Sequence, residues 1–153
     1  MRLMMFCALN AGKVTPISQI AHAGNMKQAH LAKIANTLAA DGFIETVRGR
    51  RGGVRLARPA ESISVGAIIA RTEAGAGFVE CIDRATNTCP LIDCCRFRSA
   101  LDRALAAFIA VLDEYTLADL VAGGDQLRRA LGLPPMIDAG DPMARPLPNG
   151  RPR

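Results

Sequence analysis

A chain of 153 residues, half of them hydrophobic and with a net charge of +5, is long enough for one domain with a real core, or a small domain plus an arm. No apolar run approaches the roughly 20 residues that span a bilayer, so a membrane-spanning helix is not expected. The opening MRLMMFCALNAGK lacks the basic cluster and small-residue cleavage site of a secretory signal, so the expected compartment is the reducing cytoplasm, where structural disulfides are rare.

The charge is unevenly placed. Residues 1–60 hold nine Lys/Arg against two acids, Asp41 and Glu45, a local excess of +7, whereas residues 61–153 hold ten against twelve, or −2. A basic head on a near-neutral body suits a nucleic-acid partner, although a solvated basic face would look the same on charge alone.

Residues 2–10, RLMMFCALN, are apolar helix formers that stop before Gly12 and predict a helix, with Cys7 read as a small core residue on its apolar face. Thr15-Pro16 reads as an N-cap followed by proline at the first helical position. The helix it opens, ISQIAHA, ends at Gly24, with His22 read as structural. A turn leads to a longer helix from about Lys27 to Ala40, whose apolar stripe is Leu31, Ile34, Ala35 and Leu38 and whose end is marked by Asp41-Gly42. Two helices joined by a tight turn form the helix-turn-helix pattern. Gln28 at the start of the second helix has the amide to pair with adenine; His30 farther along is a second DNA-contact candidate, with a packed or solvated histidine as the alternative, and Lys33 suits phosphate.

FIETV alternates and predicts a strand, RGRRGG a turn, and VRLA a returning strand, which together make a wing. It carries Arg48, Arg50, Arg51, Arg55 and Arg58 with no acid between Glu45 and Glu61. Guanidinium groups packed so closely repel one another unless phosphate or solvent neutralises them, and DNA backbone contact is the economical explanation. Arg50 and Arg51 at the tip suit minor-groove insertion, while Arg48, Arg55 and Arg58 suit phosphate.

SVGAIIAR predicts a short helix, and EAGAGFVE a weakly ordered stretch. From about Arg96 a long helix is expected, with Leu101, Leu105, Phe108, Leu112 and Tyr115 spaced as a two-heptad seam. In so small a chain that seam points to a homodimer. Thr116 with Asp119 three residues on forms a capping box that opens another short helix, LADLVA. Residues 134–153 hold six prolines without periodicity and predict a disordered tail.

The expected class is therefore mostly α with a small β-wing: a winged helix-turn-helix head joined to a long dimerisation helix. Its parts are residues 1–60 (head), 61–95 (linker helix and cysteine loop), 96–133 (dimerisation helix and short C-terminal helices) and 134–153 (tail).

Four of the five cysteines fall in CIDRATNTCPLIDCC, residues 81–95. The loop offers no pair at the spacing of structural zinc sites and no Cys-x-x-Cys redox motif. Three separated thiols, Cys81, Cys89 and Cys95, can wrap a larger object such as an iron–sulfur cluster, with free or redox-active thiols as the rival on spacing alone. A thiol redox enzyme lacks the catalytic arrangement it needs and leaves the arginine-rich wing unexplained.

Taken together, ETVRGRRGGVRLARPAESISVGAII, CIDRATNTCPLIDCCR and LDEYTLADLV resemble the wing, three-cysteine loop and helix ending of the iron–sulfur winged-helix repressors typified by NsrR, IscR and RirA. The resemblance covers residues 3 to 133. It implies a non-enzymatic repressor that binds a palindromic operator in double-stranded DNA as a homodimer. It also implies a 2Fe-2S or 4Fe-4S cluster on Cys81, Cys89 and Cys95, with Cys94 a spare thiol or a substitute ligand. NTCP and YTLADLV are similar to the nitric-oxide-sensing branch and point to nitric oxide as the expected signal; CPLIDCC is similar to the iron-responsive branch, which is one alternative, and a zinc-stabilised DNA-binding protein without sensing is the other. Two departures from the family pattern stand out. The family's first helix is longer, and an acidic residue near its start is the fourth ligand in some members, so a shortened helix is expected here. The recognition helix opens Lys27-Gln28-Ala29-His30-Leu31 where the family has Ser-Arg-Asn-His-Leu, so a serine N-cap and a base-reading side chain are replaced.

Overall fold

The computed structural model describes residues 1–73 and 87–134. The expectations for Cys81, for the stretch before it and for the tail from residue 135 fall outside them.

The chain forms seven α-helices and one two-stranded hairpin among the described residues: α1 (Arg2–Leu9), α2 (Ile17–Ala23), α3 (Gln28–Ala40), β1 (Ile44–Val47), β2 (Gly53–Leu56), α4 (Val65–Glu73), α5 (Arg96–Asp113), α6 (Leu117–Val121) and α7 (Gly124–Ala130), with a 3-10 turn at Ala60–Ser62. It is mostly α with a small β-wing, as expected.

One core serves the head. α1 contributes Leu3, Met4, Phe6 and Cys7, α2 Ile20 and Ala21, and α3 Leu31, Ala35 and Leu38. Ile44 and Val54 of the hairpin, Ile63 and Ile68 from the linker, and Leu117 of α6 close it. A wholly buried aliphatic side chain contributes about 1.5–3 kcal/mol. These residues therefore fix the helix pair and the wing to one another, and that fixed relationship is what a DNA-reading head requires.

The entry to α2 differs from the sequence reading. Thr15 does not cap the helix with its side chain. It is buried, and its backbone N–H and carbonyl exchange 2.9 Å hydrogen bonds with Val54, adding a one-residue bridge to the hairpin. Pro16 takes the N-cap position, and its carbonyl accepts from Ile20. Two-stranded hairpins are marginal alone, and backbone pairing with Thr15 satisfies groups of β2 that would otherwise be buried without partners. The approach is close enough to require glycine next door: a Cβ on Gly53 would lie well inside contact distance of the Thr15 carbonyl.

α5 also differs from the expected single seam. None of its residues is fully buried in one chain. Leu101, Leu105 and Leu112 are half-buried together with Ile109, while Phe108 is not part of that row. It lies instead on a neighbouring stripe with Phe97 and Val111, which are 64%, 50% and 54% exposed in the order Phe97, Phe108, Val111. The helix thus has one apolar row against its own chain and a second facing out.

The end of α5 is stitched to the head. Val65 N–H donates to the Tyr115 carbonyl (2.9 Å), and Leu117 N–H to the Ile63 carbonyl (2.8 Å). The Ser64 hydroxyl donates to the Asp113 carboxylate and accepts from Ala67 N–H (3.1 Å) at the start of α4. The capping box at α6 forms as expected: Thr116 Oγ1 accepts from Asp119 N–H (3.2 Å), and Asp119 Oδ2 accepts from Thr116 N–H (2.8 Å).

Candidate nucleic-acid interface and cysteine loop

The second helix of the pair places its apolar residues inward, so its remaining side chains are presented outward. Gln28, His30 and Lys33 are all exposed, so His30 is not packed into the core. Lys27 holds the N-cap position with no side-chain bond to the first turn, as expected where the family's serine is absent. Thr37 Oγ1 donates to the Lys33 carbonyl (3.3 Å), a back-bond within the helix. The turn before this helix holds Asn25 at φ 49°, the left-handed region that Asn tolerates.

The chain leaves α3 through Gly42 at φ 72° and enters the wing directly. In the hairpin, Ile44 pairs with Leu56, Glu45 with Arg55, Thr46 with Val54 and Val47 with Gly53. Partners across a ladder share a face. Ile44 and Val54 are buried, so Glu45 and Arg55 lie on the outer face. The turn is closed by Gly52 N–H donating to the Gly49 carbonyl (2.9 Å), with Gly49 at φ 110°.

All five wing arginines are exposed, but they are not equivalent. Arg48, Arg50 and Arg51 at the turn have no carboxylate partner among the described residues. Arg55 is engaged by Glu45, with Nη2 and Nε at 2.7 and 2.9 Å from Oε2. Arg58 stacks over the Phe43 ring, 5.1 Å from its centroid. Spacing alone could not separate these three conditions, because a cross-strand partner is set by register.

The described part of the cysteine loop is a run of turns. Asn87 Oδ1 accepts from Cys89 N–H (3.1 Å), the Cys89 carbonyl from Ile92 N–H (3.3 Å), and the Leu91 carbonyl from Cys94 N–H (3.0 Å). Cys89, Cys94 and Cys95 are unpaired thiols; Cys94 is exposed, and the other two are half-exposed. Cys95 is the N-cap of α5, where free backbone N–H groups favour an anionic neighbour. Cys7 is different: burial pushes its thiol up to about 12, as expected of a core cysteine.

Two arginines escaped the sequence reading. Arg98, one turn beyond Cys95 on the same side of α5, has a buried Nε that makes no hydrogen bond among the described residues and lies 3.8 Å from the Asp102 carboxylate. Arg128 is buried; its Nη1 donates to the Leu9 carbonyl and its Nε to the Pro134 carbonyl (2.6 Å). It ties α7 and the segment after it to the end of α1. The i+3 spacing from Cys95 was a signal for Arg98; nothing in the sequence marked Arg128, whose acceptors are backbone carbonyls.

The donor set fits an iron–sulfur cluster in its chemistry. Cys89 and Cys95 are free of disulfides and at least partly accessible, and thiolates are the ordinary ligands of such clusters. Among the described residues no three His, Cys, Asp or Glu side chains are gathered as metal ligands, Cys89, Cys94 and Cys95 included; Cys81 lies outside those residues.

A helix-turn-helix with an arginine-rich wing, bonded to a long helix with an outward apolar stripe, defines a winged-helix transcriptional regulator. The chain belongs to the Rrf2 family, described as iron-dependent transcriptional regulators, whose sequence profile matches residues 1–123. It is 40% identical over 136 residues to the HTH-type transcriptional regulator NsrR of Halalkalibacterium halodurans, covering 88% of this chain and 93% of that protein. It is 44% identical over 132 residues to the NsrR of Geobacillus kaustophilus, covering 86% and 90%. Among solved structures, T. potens IscR matches with a TM-score of 0.62 at 24% identity, over 83% of each chain. Staphylococcus aureus CymR matches with a TM-score of 0.58 at 30% identity, over 78% of this chain and 89% of that one. The likeness to IscR speaks for the fold, the identity to the NsrR proteins for the family.

Proposed function

We propose that this regulator is a cytoplasmic, homodimeric repressor that senses nitric oxide through an iron–sulfur cluster, either 2Fe-2S or 4Fe-4S, held by Cys81, Cys89 and Cys95. The observation that carries the DNA-binding part is the coincidence of exposed Gln28, His30 and Lys33 on α3 with three exposed arginines on the adjoining wing, Arg48, Arg50 and Arg51, that have no carboxylate partner among the described residues. Gln28 and His30 suit base edges and Lys33 phosphate, while on the wing Arg50 and Arg51 suit the minor groove and Arg48 a phosphate. Arg55 and Arg58, both expected on phosphate, are held by Glu45 and Phe43 and contribute to the wing's shape.

The sensing part rests on the three-cysteine spacing, the free thiols of the loop, and the identity to NsrR proteins over nearly the whole chain. When bound, the cluster supplies iron sites open to attack by nitric oxide. The protein's own contribution is connectivity. Cys95 caps α5, and α5 is bonded at its far end to the linker of the head through Ile63–Val65 and Tyr115–Leu117. Ordering of the loop at Cys89 and Cys95 therefore fixes the start of α5, and with it the separation of two heads across a dyad. Half-sites about one helical turn apart demand a fixed separation, so loss of the loop's ligand weakens operator binding.

An iron-responsive reading has one specific observation in its favour, the family's description as iron-dependent. The two are separated by the signal. Operator duplexes selected from a random pool with the anaerobically reconstituted protein are bound again after nitric oxide addition, after chelation of iron, and by apoprotein. Release by nitric oxide at constant total iron supports the proposal; release only on iron loss supports the iron-responsive reading. Equal affinity of apoprotein and holoprotein, or a stoichiometric zinc content, would contradict both.

A further inference from the structure

The five wing arginines suggest a wing that offers five cations to DNA, and the register of the hairpin contradicts that count. We infer that Glu45 withholds Arg55 from the DNA backbone, so that Glu45 is a specificity-determining residue limiting sequence-independent affinity. The inference rests on the wing being a DNA-contacting element and adds what the wing does not contact.

The pairing is built into the ladder. Glu45 and Arg55 are directly opposite across β1 and β2. Both point outward, since their sequence neighbours Ile44 and Val54 are buried. Two nitrogens of the guanidinium converge on a single oxygen, Oε2, at 2.7 and 2.9 Å, and the two side chains are 46% and 47% exposed. An exposed pair of this kind adds little to stability, about 0–1 kcal/mol. Its consequence lies in charge. A guanidinium already neutralised by a carboxylate does not release the counter-ions condensed on DNA as a free cation does. The carboxylate beside it also repels phosphates that approach the outer face. The turn arginines Arg48, Arg50 and Arg51 have no such partner among the described residues, so they carry the wing's electrostatic contact.

The chemistry also explains why this limit favours specificity. Every phosphate contact raises affinity for all duplexes alike, whereas base contacts from α3 discriminate. Cancelling one wing cation lowers the first term and leaves the second.

The test is the salt dependence of binding to a labelled, mixed-sequence DNA duplex by the full chain, purified and reconstituted anaerobically. For each neutralised phosphate, log K falls with log salt by a slope of about 0.9. Arg55→Gln is expected to leave the slope of the native protein unchanged. Glu45→Gln is expected to steepen it by about 0.9, so that a fourfold rise in salt costs roughly three- to fourfold more affinity than it costs the native protein. Adding Arg55→Gln to Glu45→Gln is expected to return the slope to the native value, which shows that the freed cation is Arg55. A native slope that falls by about 0.9 in Arg55→Gln overturns the inference, because Arg55 would then reach phosphate despite Glu45. An unchanged slope in Glu45→Gln overturns it as well. The variant with Arg48→Gln, Arg50→Gln and Arg51→Gln together is the separate control: if it leaves the slope unchanged, the wing does not contact DNA and the DNA-binding reading of the wing itself fails. The melting temperature of each variant reports folding, and the double variant, which keeps the net charge of the pair, covers the case in which one single variant is unstable.

Discussion

Gly66 of α4 crosses the Ile109 carbonyl of α5 so closely that a Cβ on it would sit 2.8 Å from that oxygen and press into the Asp113 carboxylate as well. Glycine at this point lets the linker helix and the long helix touch along their backbones. The Ser64–Asp113 hydrogen bond and the backbone bonds of Val65 and Leu117 surround the crossing. This junction is where the head meets the helix that carries Cys95 at its other end.

Gly66→Ala should therefore loosen the junction. The acceptor in the way is backbone and cannot swing aside, so a cost of about 1–3 kcal/mol is expected, typical of overpacking. Chemical denaturation should show a lower midpoint with an unchanged slope. Operator affinity should fall more than affinity for mixed-sequence DNA, because the separation of the heads is disturbed while the wing is not. A variant of native stability would show that the crossing has slack.

Cys7 gives a pH dependence with a defined sign. Burial raises its thiol from the ordinary 9.0 to about 12, so the unfolded chain releases this proton first as pH rises. Its contribution to stability is complete below about pH 9 and is lost between 9 and 12. The stability difference between native protein and Cys7→Ala should be constant below this window and shrink through it. In the folded apoprotein a thiol reagent should modify exposed Cys94 quickly and Cys7 only on unfolding.

The outward stripe of α5 predicts an assembly. Phe97, Phe108 and Val111 are at least half exposed in one chain, and a contiguous apolar strip of this kind marks an interaction surface. The native protein should sediment as a dimer and Phe108→Asp as a monomer, with helical circular dichroism retained, since the side chain contributes little within its own chain. A native protein that sediments as a monomer would contradict this use of the stripe.

At α6, the reciprocal bonds of Thr116 and Asp119 stabilise a helix of only five residues. Thr116→Ala should cost about 1 kcal/mol, the usual loss for a cap. Because Ser64 and Thr116 are bridged, the variant should also raise hydrogen exchange at Val65 and Leu117.

Much of this was legible in the sequence because the signals were local. The apolar spacing of Leu31, Ala35 and Leu38, the alternation around the RGRRGG turn and the Thr116–Asp119 pair each depend on residues within a few positions of one another. What the sequence concealed depends on tertiary pairing. Thr15 has the composition of a cap, but Val54 competes for its backbone. The leucines of α5 and Phe108 share a heptad spacing, yet the crossing of α4 claims only one row. Arg55 and Arg58 look like Arg50 and Arg51 in sequence; only the register with Glu45 and the position of Phe43 set them apart. In the cysteine loop spacing identified the thiols; on α5 the spacing from Cys95 was a signal for Arg98, but the burial of its Nε emerged only from packing.

The measurement that bears most directly on the cluster-based switch is an anaerobic visible absorption titration with nitric oxide, run on the reconstituted protein bound to its selected operator, with anisotropy of the labelled DNA followed in the same cell. The expected result is a visible band that bleaches in step with release of the DNA. Cys89→Ser and Cys95→Ser should lack the band, and Cys94→Ser should keep it. A protein that stays colourless after reconstitution, or DNA that stays bound while the band disappears, would contradict the switch.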